Sequence, residues 1–320
     1  MHSIPSDIVQ SAAKLFALSL SPSFFSRSHQ HSAGSLFECG NVLLKVSKQT
    51  SMNDMDDMDE RLHYALHLRQ NGITVPAYIL SINKHMIESI PTDSGLYLAY
   101  AWPKAPGKPL ADPHPRHLEQ YYRNWAALLA ACHNAAGTYR SDLLPDWHAE
   151  WQSCYNDLPD NEMKDCFEVL KGELDRRERN ILNFGAIHND AHPRNILQNG
   201  QVLTLIDFDR CCYHYFVQDI ANAIYSEYSR IGFHSEHKSA LIEMRELFLI
   251  PFIQAYLAAH PLPKVDIYEV EIFLLYRQFV MFSIFQREIN EAAPDYLKVF
   301  RQRIMTRAPF LPFNIESLLF

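Results

Sequence analysis

The feature that most constrains this chain is a pair of short apolar segments joined by the dipeptide Asn199-Gly200. The segments span residues 196–198 and 201–206. Asn-Gly favours a two-residue type I′ turn because both positions accept positive φ, so the segments are predicted to pair as a β-hairpin. Counting outward from the turn, Asn195 and Asp207 both emerge at the open end of this hairpin.

A third polar side chain, that of Asp190, comes five positions before Asn195 in the sequence H-N-D-A-H-P-R-N. Asn195 and Asp207 would supply the hard oxygen ligands that Mg²⁺ takes in proteins, alongside phosphate oxygens. Asp190 would accept the proton that an attacking hydroxyl group loses. A carboxylate base with two magnesium ligands is what phosphoryl transfer from Mg-ATP requires, so the spacing predicts a phosphotransferase site.

These residues carry a resemblance to a known superfamily. H-N-D-A-H-P-R-N followed by I-D-F-D resembles H-x-D-x-H-x-x-N and I-D-[FW]-[DE], the motifs of the aminoglycoside phosphotransferase and choline kinase superfamily. The resemblance implies a protein-kinase-like α+β fold with two lobes, a small antiparallel-sheet N-terminal lobe and a mainly helical C-terminal lobe. It places a nucleotide-binding lobe at residues 1–102, a hinge at 103–110, and the catalytic and acceptor-binding lobe at 111–320.

The resemblance also implies roles for particular side chains. It implies Asp190 as the catalytic base, Asn195 and Asp207 as magnesium ligands, and His188 and Asp219 as structural supports of the loop. Two glycines that are usual in the family are replaced by Asn189 and Arg194, which leaves the reactive side chains intact. The resemblance assigns no role to Asp209.

Nucleotide binding is predicted for the first hundred residues. Six short strands are predicted, at residues 24–27, 35–39, 42–46, 73–82, 85–90 and 97–102. A five-stranded antiparallel sheet is expected to form from this region. Strand alternation turns Lys45 away from its apolar neighbours Leu44 and Val46. In kinase-like folds such a lysine contacts the α- and β-phosphates and pairs with a helix glutamate, for which Glu60 is the candidate.

Four other residues are predicted to contact the nucleotide. By resemblance, the backbone groups of Tyr100 and Trp102 face the adenine base. The loop at 29–35 has one glycine, and its backbone amides with Ser32 or Ser35 would reach phosphate oxygens. An ordinary hairpin turn is an equal alternative for that loop. ATP is the expected nucleotide, with GTP as a further possibility, together with Mg²⁺.

Helices are predicted from apolar residues recurring every three to four positions. They lie at residues 8–18, 54–72, 118–133, 162–181, 217–228, 239–260 and 267–288. His133, near the end of the third of these, is predicted to be a packed, hydrogen-bonded histidine rather than a ligand.

Charge and composition restrict the classes of molecule that this protein is expected to bind. The 320 residues carry 29 basic and 37 acidic side chains, a net charge of −8, so no basic surface argues for nucleic acid or an anionic membrane. The apolar stretches at 247–259 and 272–285 are interrupted by polar residues and are predicted to be buried helices.

The N-terminus does not resemble a signal peptide and the cysteines form no C-x-x-C pair, so a cytoplasmic location is expected. The oligomeric state is not indicated.

The acceptor is predicted to be a small hydroxyl compound, with cationic compounds among the candidates, as in relatives that act on aminoglycosides, choline or homoserine. Only eleven residues separate Asp207 from Asp219, too few for the activation segment of a common protein kinase. Three alternatives stay open. They are a protein Ser/Thr kinase of the bacterial stress-response type, a nucleotide-binding pseudokinase scaffold, and a metallohydrolase using His188, Asp190 and His192.

Overall fold

A computed structural model describes residues 4–19, 27–31, 34–49, 54–93, 95–110, 118–229, 238–289 and 293–315. The chain divides into two compact units. The first comprises Met1–Leu110, Arg140–Leu144 and Asn195–Arg210, and the second comprises Ala111–Tyr139, Pro145–Arg194 and Cys211–Phe320. The domain boundaries given above remain predictions.

The first unit is built on a five-stranded antiparallel sheet. Its strands are β1 (Arg27–His31), β2 (Gly34–Cys39), β3 (Val42–Lys48), β4 (Ile87–Thr92) and β5 (Gly95–Pro103), in the order β1-β2-β3-β5-β4. The prediction of a strand at residues 73–82 is wrong, because this segment is irregular and contributes only an isolated bridge between Ile79 and Ala101. The predicted strand at 24–27 begins outside the described residues.

Two helices pack on opposite faces of this sheet. Helix α1 (Ser6–Leu15) buries Ile8, Val9 and Ala12 against the face that carries Leu44 and Val46 of β3. Helix α2 (Asp54–Gln70) packs Met58 and Leu62 against the opposite face, with Leu98 and Tyr100 of β5. Strand alternation therefore places Lys45 on the same face of the sheet as α2.

The first unit also contains the predicted hairpin. Strands β8 (Ile196–Asn199) and β9 (Val202–Leu205) pair with Asn199 opposite Val202, so the two-residue turn is Gly200-Gln201. The prediction of a type I′ turn at Asn199-Gly200 is wrong, because φ is positive at Gly200, where it is 59°, and at neither Asn199 nor Gln201. Positive φ at the first central residue alone is typical of a type II′ turn. The two-residue strand β6 (Lys108–Pro109) pairs with β8. It follows Gly107, where a Cβ atom would lie 2.5 Å from the backbone oxygen of Gln198, so the chain needs a glycine there.

The second unit is mainly helical. It contains α3 (Leu118–Ala136), α4 (Trp147–Asp157), α5 (Asn161–Asp175), α6 (Val217–Ser229), α7 (Lys238–Met244), α8 (Ile250–Ala259), α9 (Lys264–Tyr268), α10 (Val270–Ile289) and α11 (Pro294–Met305). A π-helical turn at Arg245–Leu249 joins α7 to α8, where one continuous helix was predicted. Strands β7 (Phe184–Ile187) and β10 (Cys212–Tyr215) form an antiparallel pair that brings residues 187 and 212 opposite each other.

Two predictions about the second unit are confirmed. His133 is buried between the Phe216 ring, 4.4 Å away in a stacked arrangement, and the Tyr256 hydroxyl, 2.6 Å from its Nδ1 atom. The apolar stretch at 272–285 lies within the buried helix α10. Among the helices that the structure describes, no segment is both apolar and long enough to cross a bilayer.

Candidate active site

The first unit brings three polar side chains together around Lys45. The Lys45 Nζ atom lies 3.3 Å from Oδ1 of Asp207 and forms a closer ion pair with Asp209. The Tyr100 hydroxyl, on the neighbouring strand, donates a hydrogen bond of 2.5 Å to the other carboxylate oxygen of Asp209. Because Lys45 and Tyr100 are opposite each other in the β3–β5 register, both side chains point to the same face of the sheet.

The protonation states of this cluster follow from burial and mutual attraction. Burial would raise the pKa of Asp209, but the adjacent Lys45 ammonium outweighs it and holds that pKa below its ordinary value. Burial would lower the pKa of Lys45, yet the two carboxylates raise it. Burial and then the charge of Asp209 raise the pKa of Tyr100 well above its ordinary value. At neutral pH Lys45 and Asp209 are therefore both charged, and Tyr100 remains a hydrogen-bond donor.

The open end of the hairpin carries the two predicted magnesium ligands. Asn195 ends a short 3₁₀ turn, and its backbone oxygen accepts a 2.9 Å hydrogen bond from the amide of Ile206. Asp207 follows directly, with a φ of 66° and a side chain that is 43% exposed. A carboxylate and an amide oxygen at one hairpin end are hard ligands, two in number, which suits a Mg²⁺ ion that also takes phosphate and water oxygens.

The second unit holds the loop that contains Asp190. Asp219, at the start of α6, accepts hydrogen bonds from the backbone amides of His188 at 3.1 Å and Asn189 at 2.8 Å. The indole nitrogen of Trp125 donates to the backbone oxygen of Ala191 at 3.0 Å. Asp219 and Trp125 therefore fix the backbone on both sides of Asp190.

Asn189, at the position of a usual family glycine, has a φ of 61°. Asparagine is the residue besides glycine that most readily takes this left-handed conformation. The Nδ2 atom of Asn222 donates to the backbone oxygen of Asn189 at 2.9 Å and lies 3.3 Å from its side-chain oxygen. The replacement thus preserves the backbone conformation and adds a side-chain contact.

The free energy of unfolding of variants at position 189 should decrease as the new residue tolerates positive φ less well. Asn189→Gly is expected to change the free energy of unfolding by less than about 1 kcal/mol, because glycine adopts this conformation without strain. Asn189→Ala is expected to cost about 1–2 kcal/mol and Asn189→Val more, since a β-branched side chain is least compatible with it. Urea unfolding of the three variants measures the order. A valine variant as stable as the glycine variant would contradict this account.

The Asp190 side chain contacts an arginine that sequence reasoning did not assign to the site. Nη2 of Arg277, in the middle of α10, donates to Oδ1 of Asp190 at 2.9 Å. The other carboxylate oxygen lies 3.7 Å from Nε2 of His192. Burial lowers the pKa of His192, which the charge of Asp190 only partly opposes, so this imidazole is neutral at neutral pH. Arg277 is therefore the charged group that contacts Asp190.

The histidines of the motif support the loop backbone. The Nδ1 atom of His188 accepts from the amide of Asp190 at 3.3 Å, and Nδ1 of His192 accepts from the amide of Arg194 at 3.2 Å. Among the described residues, which include both histidines and Asp190, no group of three His, Cys, Asp or Glu side chains is placed to hold a metal ion. The metallohydrolase alternative therefore has no ligand cluster in this structure.

The other predicted nucleotide contacts remain predictions. The ion pairs of Lys45 are with Asp207 and Asp209, so the pairing with Glu60 is not among its described contacts. Tyr100 lies opposite both Lys45 and Ile87 in the sheet, whereas Trp102 lies beyond the last pair with β4.

Of the two serines predicted to contact phosphate, the structure describes one. Ser35 is buried in β2 opposite Val46, and Ser32 lies outside the described residues.

Several solved structures share the fold of this protein. An amicoumacin kinase in complex with AMP-PNP and Ca²⁺ aligns with a TM-score of 0.83 at 20% identity, covering 99% of this chain and 97% of that one. A microcompartment-associated aminopropanol kinase aligns with a TM-score of 0.69 at 16% identity, covering 95% and 99%. The choline kinase LicA from Streptococcus pneumoniae aligns at 0.58 and 14%, covering 94% and 97%. The predicted α+β, kinase-like fold is thus confirmed.

The family follows from the sequence comparison. Residues 38–262 match the phosphotransferase enzyme family, APH, and the chain belongs to this family. Amicoumacin kinase of Bacillus subtilis (strain 168) is 23% identical over 289 residues, which are 86% of this chain and 84% of that protein. The chain is accordingly an enzyme, a phosphotransferase with an alcohol group as acceptor, which confirms the class predicted from the motifs.

Proposed function

We propose that this enzyme transfers the γ-phosphate of ATP, with Mg²⁺, to a hydroxyl group of a small molecule. The observation that carries the proposal is the 3.3 Å contact between Lys45 and Asp207, which are 162 positions apart in the sequence. A strand lysine beside a metal-binding aspartate is the arrangement that kinase-like enzymes use for the phosphates of a nucleotide and its metal ion. The relative that was solved with AMP-PNP and Ca²⁺ supports the same choice of cofactors.

The residues of the first unit would bind the nucleotide. Lys45 would contact the α- and β-phosphates, and Asn195 and Asp207 would hold Mg²⁺. When bound, the ion would neutralise negative charge on the phosphates during transfer. Asp209 is proposed to support this arrangement, because one oxygen of its carboxylate pairs with the Lys45 ammonium and the other accepts a hydrogen bond from the Tyr100 hydroxyl.

Asp190 is proposed to accept the proton of the acceptor hydroxyl. A carboxylate that is 19% exposed is accessible to a substrate, and its loop is fixed by Asp219 and Trp125. A fixed base favours catalysis because the reacting groups lose little further freedom in the transition state.

A small molecule is the best-supported acceptor class. The relatives include kinases named for amicoumacin, aminopropanol and choline, and the family match covers residues 38–262. The short segment between Asp207 and Asp219 lacks room for the peptide-docking activation segment of common protein kinases. We therefore propose a hydroxyl compound bearing an amine as the first class to test.

The test is a phosphate-transfer assay with ATP labelled in its γ-phosphate. The purified chain is incubated with Mg²⁺ and a panel of amino alcohols, choline analogues, aminoglycosides and other hydroxylated antibiotics. A labelled small molecule that forms only with Mg²⁺ and a hydroxyl acceptor supports the proposal. Binding of Mg-ATP without transfer across the panel favours the scaffold alternative, and transfer to a protein serine or threonine favours the protein kinase alternative.

Replacing Lys45 tests nucleotide binding separately from phosphate transfer. Lys45→Met is expected to raise the Kd of Mg-ATP about tenfold or more, because a hydrogen bond to a charged group contributes about 1.5–3 kcal/mol. Calorimetry measures the Kd. Lys48→Met is the matched control, since Lys48 is an exposed lysine at the end of the same strand. Equal ATP affinity in the two variants would remove Lys45 from the nucleotide site.

A further inference from the structure

Arg277 is a charged residue that, with Gln278, interrupts the apolar stretch of α10. Its neighbours Phe273, Leu274, Tyr276 and Phe279 are buried, and Arg277 itself is only 7% exposed. A buried guanidinium group requires a counter-ion, since its desolvation is costly. The ion-pair partner described for Arg277 is Asp190, at 2.9 Å.

The guanidinium group depends strongly on that single contact. Its Nε and Nη1 atoms are buried and donate no hydrogen bond in the part of the chain that the structure describes, whereas Nη2 donates to Asp190. Loss of the Asp190 carboxylate would leave a buried positive charge without compensation. The two residues are 87 positions apart in sequence, so the contact is created entirely by the packing of the second unit.

We propose that Arg277 is a positioning residue for the catalytic base, an inference that rests on the proposed role of Asp190. By holding Oδ1, Arg277 restricts rotation of the carboxylate and keeps it in one orientation toward the acceptor hydroxyl. Because its Nε and Nη1 atoms are buried, Arg277 acts on the site through the contact of Nη2 with Asp190. The family motif does not include this residue, because it comes from a helix more than eighty positions later.

A double-mutant cycle in kcat tests the proposal. Arg277→Met is expected to lower kcat about tenfold or more with little change in the KM for ATP, and Arg277→Lys should retain part of the activity. In the Asp190→Asn background, Arg277→Met should cause no further loss, because the carboxylate that it positions is already absent. A merely structural role predicts multiplied losses in the double variant. Multiplied losses, or an unchanged kcat in Arg277→Met, would overturn the proposal.

A stability cycle on the same four proteins, without nucleotide, separates this inference from the proposed function. Asp190→Asn should lower the urea midpoint, and adding Arg277→Met should restore it in part, because the buried charge is then removed as well. If Asp190→Asn keeps full turnover, the base assignment fails while the stability coupling still stands. If the two stability effects simply add, the pair itself is refuted. Should Arg277→Met not fold, Arg277→Lys takes its place in both cycles.

Arg287→Met is the matched control for both measurements. Arg287 lies in the same helix, its side chain is 52% exposed, and it pairs with Asp157 at 3.3 Å. Its replacement is expected to leave kcat unchanged and to be additive with Asp190→Asn in stability, since an exposed ion pair contributes little.

Discussion

Replacing Asp190 by asparagine is expected to lower kcat at least about a hundredfold while the Kd of Mg-ATP stays within about twofold of the parent value. Asparagine has the same shape but cannot accept the hydroxyl proton. The loop backbone should persist, because Asp219 and Trp125 hold it through main-chain atoms rather than through the Asp190 side chain. Phosphate-transfer kinetics and calorimetry of ATP binding measure the two quantities.

Two controls make the Asp190→Asn result interpretable. Asp165→Asn changes an exposed aspartate on α5 in the same unit and should leave kcat unchanged. Because Asp190→Asn also removes the counter-ion of Arg277, its thermal transition must be measured and the assay run well below it. Undiminished phosphate transfer by a folded Asp190→Asn protein would reject Asp190 as the base.

Replacing Asp207 by asparagine is expected to lower kcat by about a hundredfold or more at ordinary Mg²⁺ concentrations, with partial recovery as Mg²⁺ is raised. An amide oxygen is uncharged and binds the ion more weakly than a carboxylate, so the metal site fills only at higher concentration. Asparagine is the informative substitution, because it tolerates the φ of 66° at this position and preserves the backbone. The Mg²⁺ dependence of the transfer rate is the measurement.

The fold should survive the Asp207→Asn substitution, because Lys45 retains its ion pair with Asp209. Asp93→Asn, at the exposed turn between β4 and β5, is the matched control and should show the Mg²⁺ dependence of the parent protein. A large loss of activity that is the same at every Mg²⁺ concentration would argue against metal binding by Asp207 and for a role in orienting Lys45.

Local sequence patterns predicted the elements that carry the motif residues. The Asn199-Gly200 dipeptide predicted the β8–β9 hairpin and the positions of Asn195 and Asp207 at its open end, although the turn lies one residue later, at Gly200-Gln201. Strand alternation gave the direction of Lys45, and the composition of α2 and α6 gave helices close to their observed bounds. These features depend on residues a few positions apart, for which the sequence itself is sufficient.

The irregular segment at 73–82 shows where local patterns fail. Its apolar residues resemble a strand, yet β3 and β4 already pair with most of β5, so this segment reaches β5 only at Ala101, through the single bridge from Ile79. The same limit applies to the long apolar run after residue 239, where a π-helical turn interrupts the predicted helix.

The sequence by itself determined the hairpin, the order of the motif residues and the family to which the chain belongs, because each of these is encoded in short spacings. Only the tertiary structure decided that Asp209 pairs with Lys45 and Tyr100, and that Arg277 contacts Asp190. Both contacts join residues that are far apart in the chain. The one signal that could have indicated Arg277 beforehand was an arginine that interrupts the apolar stretch at 272–285, since a buried charge must find a partner.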